Sequence, residues 1–163
     1  VIPGYMHDAM IEQSSANGVF GHGYTYSGHP VGCAAALKNL EIFEREHIFE
    51  KAAEAGVYLR QQLETFVDHA LVGEIRGKGL LMALELVPNK LKNTRFADGK
   101  VGAFAQRACQ EHGLIVRAVA GNSIALCPPL IITHSQIDEI IQKLTKALDD
   151  TLIYTQKEKL LFA

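Results

Sequence analysis

Apolar residues recur at helical spacing in the chain beyond residue 32. Ala36, Leu40 and Phe43 lie at i, i+4 and i+7, so they share one face of a helix. A second apolar stripe of the same period occupies residues 52–66. These patterns predict two amphipathic helices, each of which needs a partner surface. Residues 1–32 are rich in Gly, Ser and His and show no sustained period, which predicts loop with short turns.

Shorter apolar runs further along the chain predict strands. Residues 72–76 and 80–87 flank a Gly-Lys-Gly turn, and residues 114–118 and 123–127 flank a Gly-Asn turn. Two strands joined by a short loop that contains glycine are typical of a hairpin. The sequence therefore predicts two hairpins.

Two further helices complete the pattern. Residues 101–112 have one apolar side and are followed by Gly113, a residue type suited to the left-handed position after a helix. Thr133 and Gln136 have the spacing of a capping box, and the apolar stripe of a last helix follows: Ile137, Ile140, Ile141, Leu144 and Leu148. Paired strands with helices between them predict an α+β fold, with a mostly antiparallel sheet covered by helices.

Charge and hydropathy argue against some classes of binding partner. The chain has 16 basic and 18 acidic residues, a net charge of -2, and no basic stripe with interleaved aromatic residues. This composition argues against a nucleic-acid partner. The longest apolar runs, such as residues 80–84, are too short to cross a bilayer, so no membrane association is expected. No signal-peptide pattern is visible, which makes the cytoplasm the default location.

The cysteines and histidines suggest no metal site. Cys33, Cys109 and Cys127 are widely spaced and form no Cys-x-x-Cys pair, so neither a zinc knuckle nor a dithiol redox site is indicated. Each cysteine is expected to be a small buried hydrophobic residue. The seven histidines show no metal-ligand spacing, and His22 and His29 are interpreted as loop or packing residues.

The first stretch with possible chemistry is residues 21–30, Gly-His-Gly-Tyr-Thr-Tyr-Ser-Gly-His-Pro, which leads directly into a predicted helix. Unpaired N–H groups, a hydroxyl and a helix start together favour an anion such as phosphate. The glycine spacing fits neither the dinucleotide fingerprint nor the Walker loop. From the residues alone, a connecting loop in which Thr25 or Ser27 caps the helix is the simpler interpretation.

Arg117 stands at the end of an apolar strand, before a hairpin turn and without an acidic neighbour in sequence. An arginine there could bind a carboxylate through two parallel hydrogen bonds. The alternative is a side chain that lies along the surface or forms a surface ion pair. The stretch 74–86 around Arg76 is interpreted as a tight turn between strands.

Together these stretches resemble a class III aminotransferase, of fold type I among pyridoxal-phosphate enzymes. The resemblance is carried by four blocks in family order and with family-like spacing: residues 23–37, 75–80, 113–117 and 128–133. One block alone would be weak, but the ordered set is specific. Within the family, the chain is most similar to omega-transaminases that use pyruvate as amino acceptor.

The resemblance implies a function for the intact protein. An amino group would move from an amine or omega-amino acid to an α-keto acid such as pyruvate, with pyridoxal 5'-phosphate as cofactor. Thr25 matches the threonine that binds the cofactor phosphate of the partner subunit, helped by the backbone at Tyr24, which reverses the simpler loop interpretation. Arg117 matches the mobile arginine that binds a substrate carboxylate and swings out for uncharged amines. The protein is therefore expected to be a homodimer or larger.

The resemblance also divides the chain and limits what it does alone. Residues 1–37 would be the end of the large cofactor-binding α/β domain, and residues 38–163 the small C-terminal domain. The family's Schiff-base lysine lies in a block shortly before the position of Val1, and no lysine here has that context. We expect a C-terminal part without a catalytic residue, inactive alone, with an exposed apolar patch that promotes self-association. An aminomutase of the same fold and a stand-alone, non-catalytic α+β interaction module remain alternatives.

Overall fold

A computed structural model of the chain describes residues 2–92 and 94–161, which form two compact units: one up to Glu41 and one from Ile42 onward. The described residues form five α-helices and four strands, with a short 3-10 helix at Thr65–Asp68. In chain order they are α1 (Gly4–Asn17), α2 (Pro30–Arg45), α3 (Ile48–Glu64), β1 (Val72–Lys78), β2 (Leu81–Leu86), α4 (Lys100–Glu111), β3 (Arg117–Val119), β4 (Ser123–Leu126) and α5 (His134–Lys157).

The four strands form one sheet in the second unit, in the order β1-β2-β4-β3. All three pairings are antiparallel. The two predicted hairpins are confirmed, although Lys78 pairs with Leu81, so that the first turn comprises Gly79 and Leu80. A Cβ at Gly77 would lie 2.1 Å from the Leu81 carbonyl oxygen, which explains why glycine stands there. The α+β class with an antiparallel sheet is confirmed.

The core of the second unit lies between one face of the sheet and helices α3, α4 and α5. Alternate residues of β2 are buried, and the helices contribute the opposing apolar side chains. The predicted capping box at α5 is confirmed, because the Thr133 hydroxyl accepts from the Gln136 N–H and the Gln136 side chain accepts from the Thr133 N–H. The largest fully buried side chains include Leu59, Leu63, Met82, Leu84, Ile124, Leu144 and Leu148.

Two secondary-structure predictions are wrong in part. Residues 1–32 were expected to be loop, but they contain α1 and the start of α2. The apolar side chains of α1 do not gather on one face, and none is buried, so a periodicity argument does not find this helix. The strand expected at 114–118 is limited to β3, because the N–H of Leu114 bonds to the Cys109 carbonyl and completes the end of α4.

The cysteine prediction holds for one of the three thiols. Cys109 is buried in α4, and burial raises the pKa of its thiol to about 11. Cys33 and Cys127 are exposed, which contradicts the expectation that all three are buried. Cys33 lies on α2, none of whose residues is buried, and Cys127 follows the last residue of β4.

Candidate functional site

The glycine-flanked segment before α2 forms a compact turn in the first unit. The Ser27 N–H donates to the Tyr24 carbonyl at 3.0 Å, and the Ser27 hydroxyl accepts from the Tyr24 N–H at 2.9 Å. Tyr26 and Gly28 have φ angles of 68° and 72°, in the left-handed region that tight turns use. The Ser27 hydroxyl therefore stabilises the turn, rather than capping α2 as the simpler interpretation proposed.

Thr25 lies at the centre of this turn and is exposed. Neither its hydroxyl nor its N–H has a hydrogen-bond partner among the described residues. In the first turn of α2, the N–H groups of Val31 and Gly32 also have no acceptor among the described residues, and the first intrahelical bond is that of the Cys33 N–H to the His29 carbonyl. Free donors beside a helix start suit an anion such as a phosphate group.

Tyr24 and Thr25, the two residues predicted to contact a cofactor, thus differ in whether their backbone N–H groups have a partner in this turn. The backbone N–H of Tyr24 is already used by Ser27, whereas the donors of Thr25 are free. The ring of Tyr24 is 75% exposed, and its one described ring contact is with His22. A group bound at this segment would therefore meet Thr25 and the start of α2, while Tyr24 holds the turn in shape.

Arg117 lies in the second unit, at the first position of β3, and is exposed. Its guanidinium forms no ion pair with any acidic residue in the described ranges, so the surface ion-pair interpretation finds no support there. Strand β3 is an edge strand, and Arg117 pairs with Ala125 across the β3–β4 hairpin. The side chain is consequently available for a carboxylate from outside the chain.

The turn of this hairpin is fastened to the start of α4 by Asn122, which is 7% exposed. Its side-chain oxygen accepts from the Gly102 N–H at 2.8 Å, and its side-chain nitrogen donates to the Asp98 carbonyl at 2.8 Å. A Cβ at Gly102 would lie 2.3 Å from the Gly121 carbonyl oxygen, so the approach requires glycine. The sequence predicted the Gly-Asn turn but contained no sign of this attachment.

Arg76, the other arginine of the resemblance blocks, is already engaged. Its guanidinium bonds to Glu85 at 2.8 Å, to Glu74 at 3.0 Å and to the Ser123 hydroxyl at 3.0 Å. The hydrogen bond to Glu85 is the main reason that the pKa of Arg76 is raised. For Glu85, burial would raise the pKa, but the bonds from Ser123 and Arg76 outweigh it and the pKa is lowered. Arg76 therefore ties three strands together.

Apolar surface is exposed near the Arg117 hairpin. A groove of about 620 Å³ is lined by residues 114–115, 126–129 and 131–133 and by the first turns of α5. Ile115 and Ile131 on this groove are 92% and 71% exposed. This agrees with the expectation of exposed apolar surface, and the self-association expected from it stays a prediction.

The described residues give no indication of a metal site or a membrane span. Within residues 2–92 and 94–161, no three or more His, Cys, Asp or Glu side chains are grouped so that they could hold a metal ion. No helix in the described part of the chain combines the length and apolar character needed to cross a membrane.

Comparison with known proteins identifies the family. The family model "Aminotransferase class-III" matches residues 2–148. The putrescine–pyruvate aminotransferase of Pseudomonas aeruginosa is 47% identical over 147 residues, which cover 90% of this chain and 32% of that protein. Gamma aminobutyrate transaminase 3 of Solanum lycopersicum is 43% identical over 145 residues, covering 88% of this chain and 28% of that protein.

Solved structures give the same result. The omega transaminase of Pseudomonas jessenii in complex with PMP superposes with a TM-score of 0.83 and 45% identity, covering 95% of this chain and 34% of that one. A thermostable omega transaminase engineered for asymmetric synthesis of bulky amines gives a TM-score of 0.85 and 44% identity, covering 94% of this chain and 34% of that one. The chain thus spans about a third of the length of these relatives. It belongs to the class III aminotransferase family.

Proposed function

We propose that the intact protein is a pyridoxal-phosphate-dependent aminotransferase that moves an amino group from an amine or omega-amino acid to an α-keto acid such as pyruvate. The observation that carries the proposal is the family match over residues 2–148. The names of the relatives support the choice of substrates, because they include a diamine, gamma aminobutyrate and pyruvate. The reaction exchanges an amino group and a carbonyl oxygen between two substrates, so it needs no external oxidant.

The segment around Thr25 fits the phosphate end of the cofactor. Pyridoxal 5'-phosphate, when bound, supplies the electron sink for the reaction. The Thr25 hydroxyl and N–H donate to a phosphate oxygen, and the positive end of the α2 dipole favours the negative charge. Tyr24 keeps this turn closed through its bonds with Ser27. The exposure of the segment supports an assignment to the phosphate of a neighbouring subunit, and hence a homodimer with an isologous interface.

Arg117 binds the carboxylate of the acceptor in this proposal. Its planar guanidinium matches a carboxylate in a bidentate arrangement, and no acidic residue in the described ranges competes for it. Because the side chain is exposed and has no ion pair within residues 2–92 and 94–161, it can turn away when the substrate carries no carboxylate. The same site would thereby accept both keto acids and uncharged amines.

The chain by itself is proposed to be inactive in transamination. A lysine that attacks a carbonyl needs a lowered pKa, which proteins produce by desolvation or by a nearby cation. Nine of the ten lysines are exposed, and the tenth, Lys143, is half-buried and bonded to Glu139 at 2.5 Å and to the Gly113 carbonyl at 3.1 Å. These exposed or ion-paired lysines lack the desolvated surroundings that such a nucleophile needs.

The two compact units support separate roles for two domains. We assign residues 1–37 to the end of a cofactor-binding domain and residues 38–163 to a small C-terminal domain. In the structure, the chain divides into the two compact units within α2, between Glu41 and Ile42, a few residues after the proposed boundary. Thr25 falls in the first unit and Arg117 in the second.

The test is alanine formation by the intact protein. The protein expressed from its whole reading frame is supplied with pyridoxal 5'-phosphate, pyruvate and either putrescine or gamma aminobutyrate. We expect alanine to appear together with loss of the amine, and no alanine when the amine or pyruvate is omitted. Absence of alanine with every amine tried would contradict the proposal.

Two controls separate the alternatives. An aminomutase would isomerise a single amino acid without transferring nitrogen to added pyruvate, so retention of nitrogen within one substrate would favour that reading. The 163-residue chain, given the same cofactor and substrates, is expected to form no alanine. Alanine formation by that chain alone would show that the inactivity proposal is wrong.

A further inference from the structure

Strand β3 gains a hydrogen bond from a helix rather than from another strand. It lies at the edge of the sheet and, among the described strands, pairs only with β4. The N–H of Ala118 donates to the side-chain oxygen Oε1 of Gln106 on α4, at 2.7 Å. Gln106 is half-buried, so this bond is partly shielded from water and replaces the partner strand that an edge N–H lacks.

This bond acts on the peptide that directly follows Arg117. The hairpin is also attached at its turn, where Asn122 bonds to Gly102 and to Asp98. The backbone of the hairpin is therefore held to α4 at two places, while the Arg117 side chain is exposed and unpaired among the described residues. A long side chain that must reach a carboxylate and also turn away works best from a fixed backbone position, because a small shift at its base is amplified at its tip.

We propose that Gln106 is a positioning residue for Arg117, and that its amide oxygen fixes the backbone from which the guanidinium reaches the acceptor carboxylate. The inference rests on the proposed clamp role of Arg117. Gln106 touches neither substrate nor cofactor in this proposal; it acts through the Ala118 peptide. Loss of the bond leaves the Ala118 N–H unpaired and lets β3 shift, so the precise reach of Arg117 is lost while the core of the unit is unaffected.

The test uses the intact holoenzyme and a matched pair of variants. Gln106→Met keeps the length and helix propensity of the side chain but removes the strong acceptor. Gln110→Met makes the same change on the same helix, at an exposed residue whose side chain makes no hydrogen bond with the described residues. Arg117→Ala and the double variant Gln106→Met/Arg117→Ala complete a cycle. The readouts are kcat/KM for pyruvate and kcat/KM for an uncharged amine donor, which report the two half-reactions separately.

We expect Gln106→Met to lower kcat/KM for pyruvate about 2- to 10-fold, the scale of one hydrogen bond, and to leave the amine value unchanged. Gln110→Met should change neither value. In the Arg117→Ala background, Gln106→Met should have no further effect. If Gln106→Met reduces the cofactor content, Gln106→Asn replaces it, since its shorter amide also fails to reach Ala118.

The outcomes distinguish the inference from the proposed function. If Arg117→Ala impairs pyruvate use and Gln106→Met has no effect, the positioning role is wrong while the clamp stands. The same conclusion follows if Gln106→Met lowers kcat/KM for pyruvate and for the amine by the same factor. Persistence of the Gln106→Met effect in the Arg117→Ala background would also overturn the positioning role. If Arg117→Ala leaves pyruvate use unchanged, the clamp itself is wrong, and the positioning role fails with it.

Discussion

The two units of the chain differ in how their helices are stabilised. Neither α1 nor α2 has a buried residue, and among residues 2–41 only Met10 and Ser14 are half-buried. In the second unit, α5 alone buries six residues and begins with a complete capping box. Helices of this length are marginal in water unless an apolar face is packed. The described helices of the first unit therefore have no packed apolar face of their own, whereas the second unit has its own core.

Thr25 and Arg117, the two candidate site residues, differ in the same way: only one of them is held in place by packing within its own unit. Thr25 lies in an exposed turn, and its donors have no hydrogen-bond partner in the described part of the chain. Arg117 stands on a hairpin that its own unit holds through Gln106 and Asn122. Under the proposed function, Arg117 is positioned by packing within its own unit, whereas the site of Thr25 is completed by assembly with a neighbouring subunit.

The largest expected effect is on stability in the core of the second unit. Leu144 is 0% exposed, and Leu144→Ala should lower the free energy of unfolding of the 163-residue chain by about 2–5 kcal/mol, through lost burial and a cavity. Leu40 on α2 is 54% exposed, so Leu40→Ala should cost no more than about 0.5 kcal/mol. Denaturant titrations at two protein concentrations measure both. A large, concentration-dependent cost at Leu40 would mean that α2 packs against another copy.

Two substitutions of glycine by alanine, one in each unit, should change the free energy of unfolding in opposite directions. A Cβ at Gly102 would overlap the Gly121 carbonyl, so Gly102→Ala should destabilise the chain by about 1–3 kcal/mol. A Cβ at Gly32 meets nothing within 4 Å, and Gly32→Ala should stabilise α2 by up to about 1 kcal/mol through helix propensity. Thermal unfolding of both variants checks this. Destabilisation at Gly32 would reveal a contact that the exposed surface does not predict.

The smallest expected effect is a pH dependence in the second unit. Burial lowers the pKa of His69, and Lys90 adds to this, although Asp149, 3.7 Å from the ring nitrogen Nε2, opposes the shift. The Nδ1 atom accepts from the Leu71 N–H at 3.2 Å, which favours the neutral ring. Below the ordinary pKa of about 6.5 the unfolded chain therefore binds a proton more readily than the folded chain, so stability is complete above that pH and falls below it.

Comparison with His69→Gln isolates this contribution. The free energies of unfolding of the two proteins are measured between pH 7.5 and pH 5, on both sides of the ordinary histidine pKa of about 6.5. The advantage of the wild-type chain should shrink as the pH falls through this range. An advantage that grows on acidification would mean that the attraction of Asp149 outweighs burial.

The sequence predicted those parts of the fold that local patterns encode. The capping box at Thr133, the two hairpins and Gly113 after α4, whose φ is 76°, depend on residues within a few positions of each other. Helix α1 was missed because its apolar residues share no face and so show no helical period. Gln106 and Asn122 were missed for a different reason: their partners lie 12 to 24 residues away, and only the fold brings them together.

For the site, the sequence indicated which residue types could bind a ligand, but it did not show which other side chains surround them. Arg76 and Arg117 both stand in resemblance blocks, and the sequence alone could not say which was free. The structure shows Arg76 bonded to Glu74, Glu85 and Ser123, while Arg117 has no ion pair among the described residues. The distinction depends on neighbouring strands of the sheet, which no local pattern specifies.

The most direct test of the account compares Thr25→Ala with Arg117→Ala in the intact holoenzyme. For each variant, the dissociation constant of pyridoxal 5'-phosphate and kcat/KM for pyruvate and for an uncharged amine are measured. Thr25→Ala should weaken cofactor binding without changing the preference between substrates. Arg117→Ala should reduce pyruvate use by the equivalent of about 1.5–3 kcal/mol and leave cofactor binding unchanged. If both variants produce the same pattern, or if neither changes its assigned quantity, the two residues do not have the separate roles proposed for them.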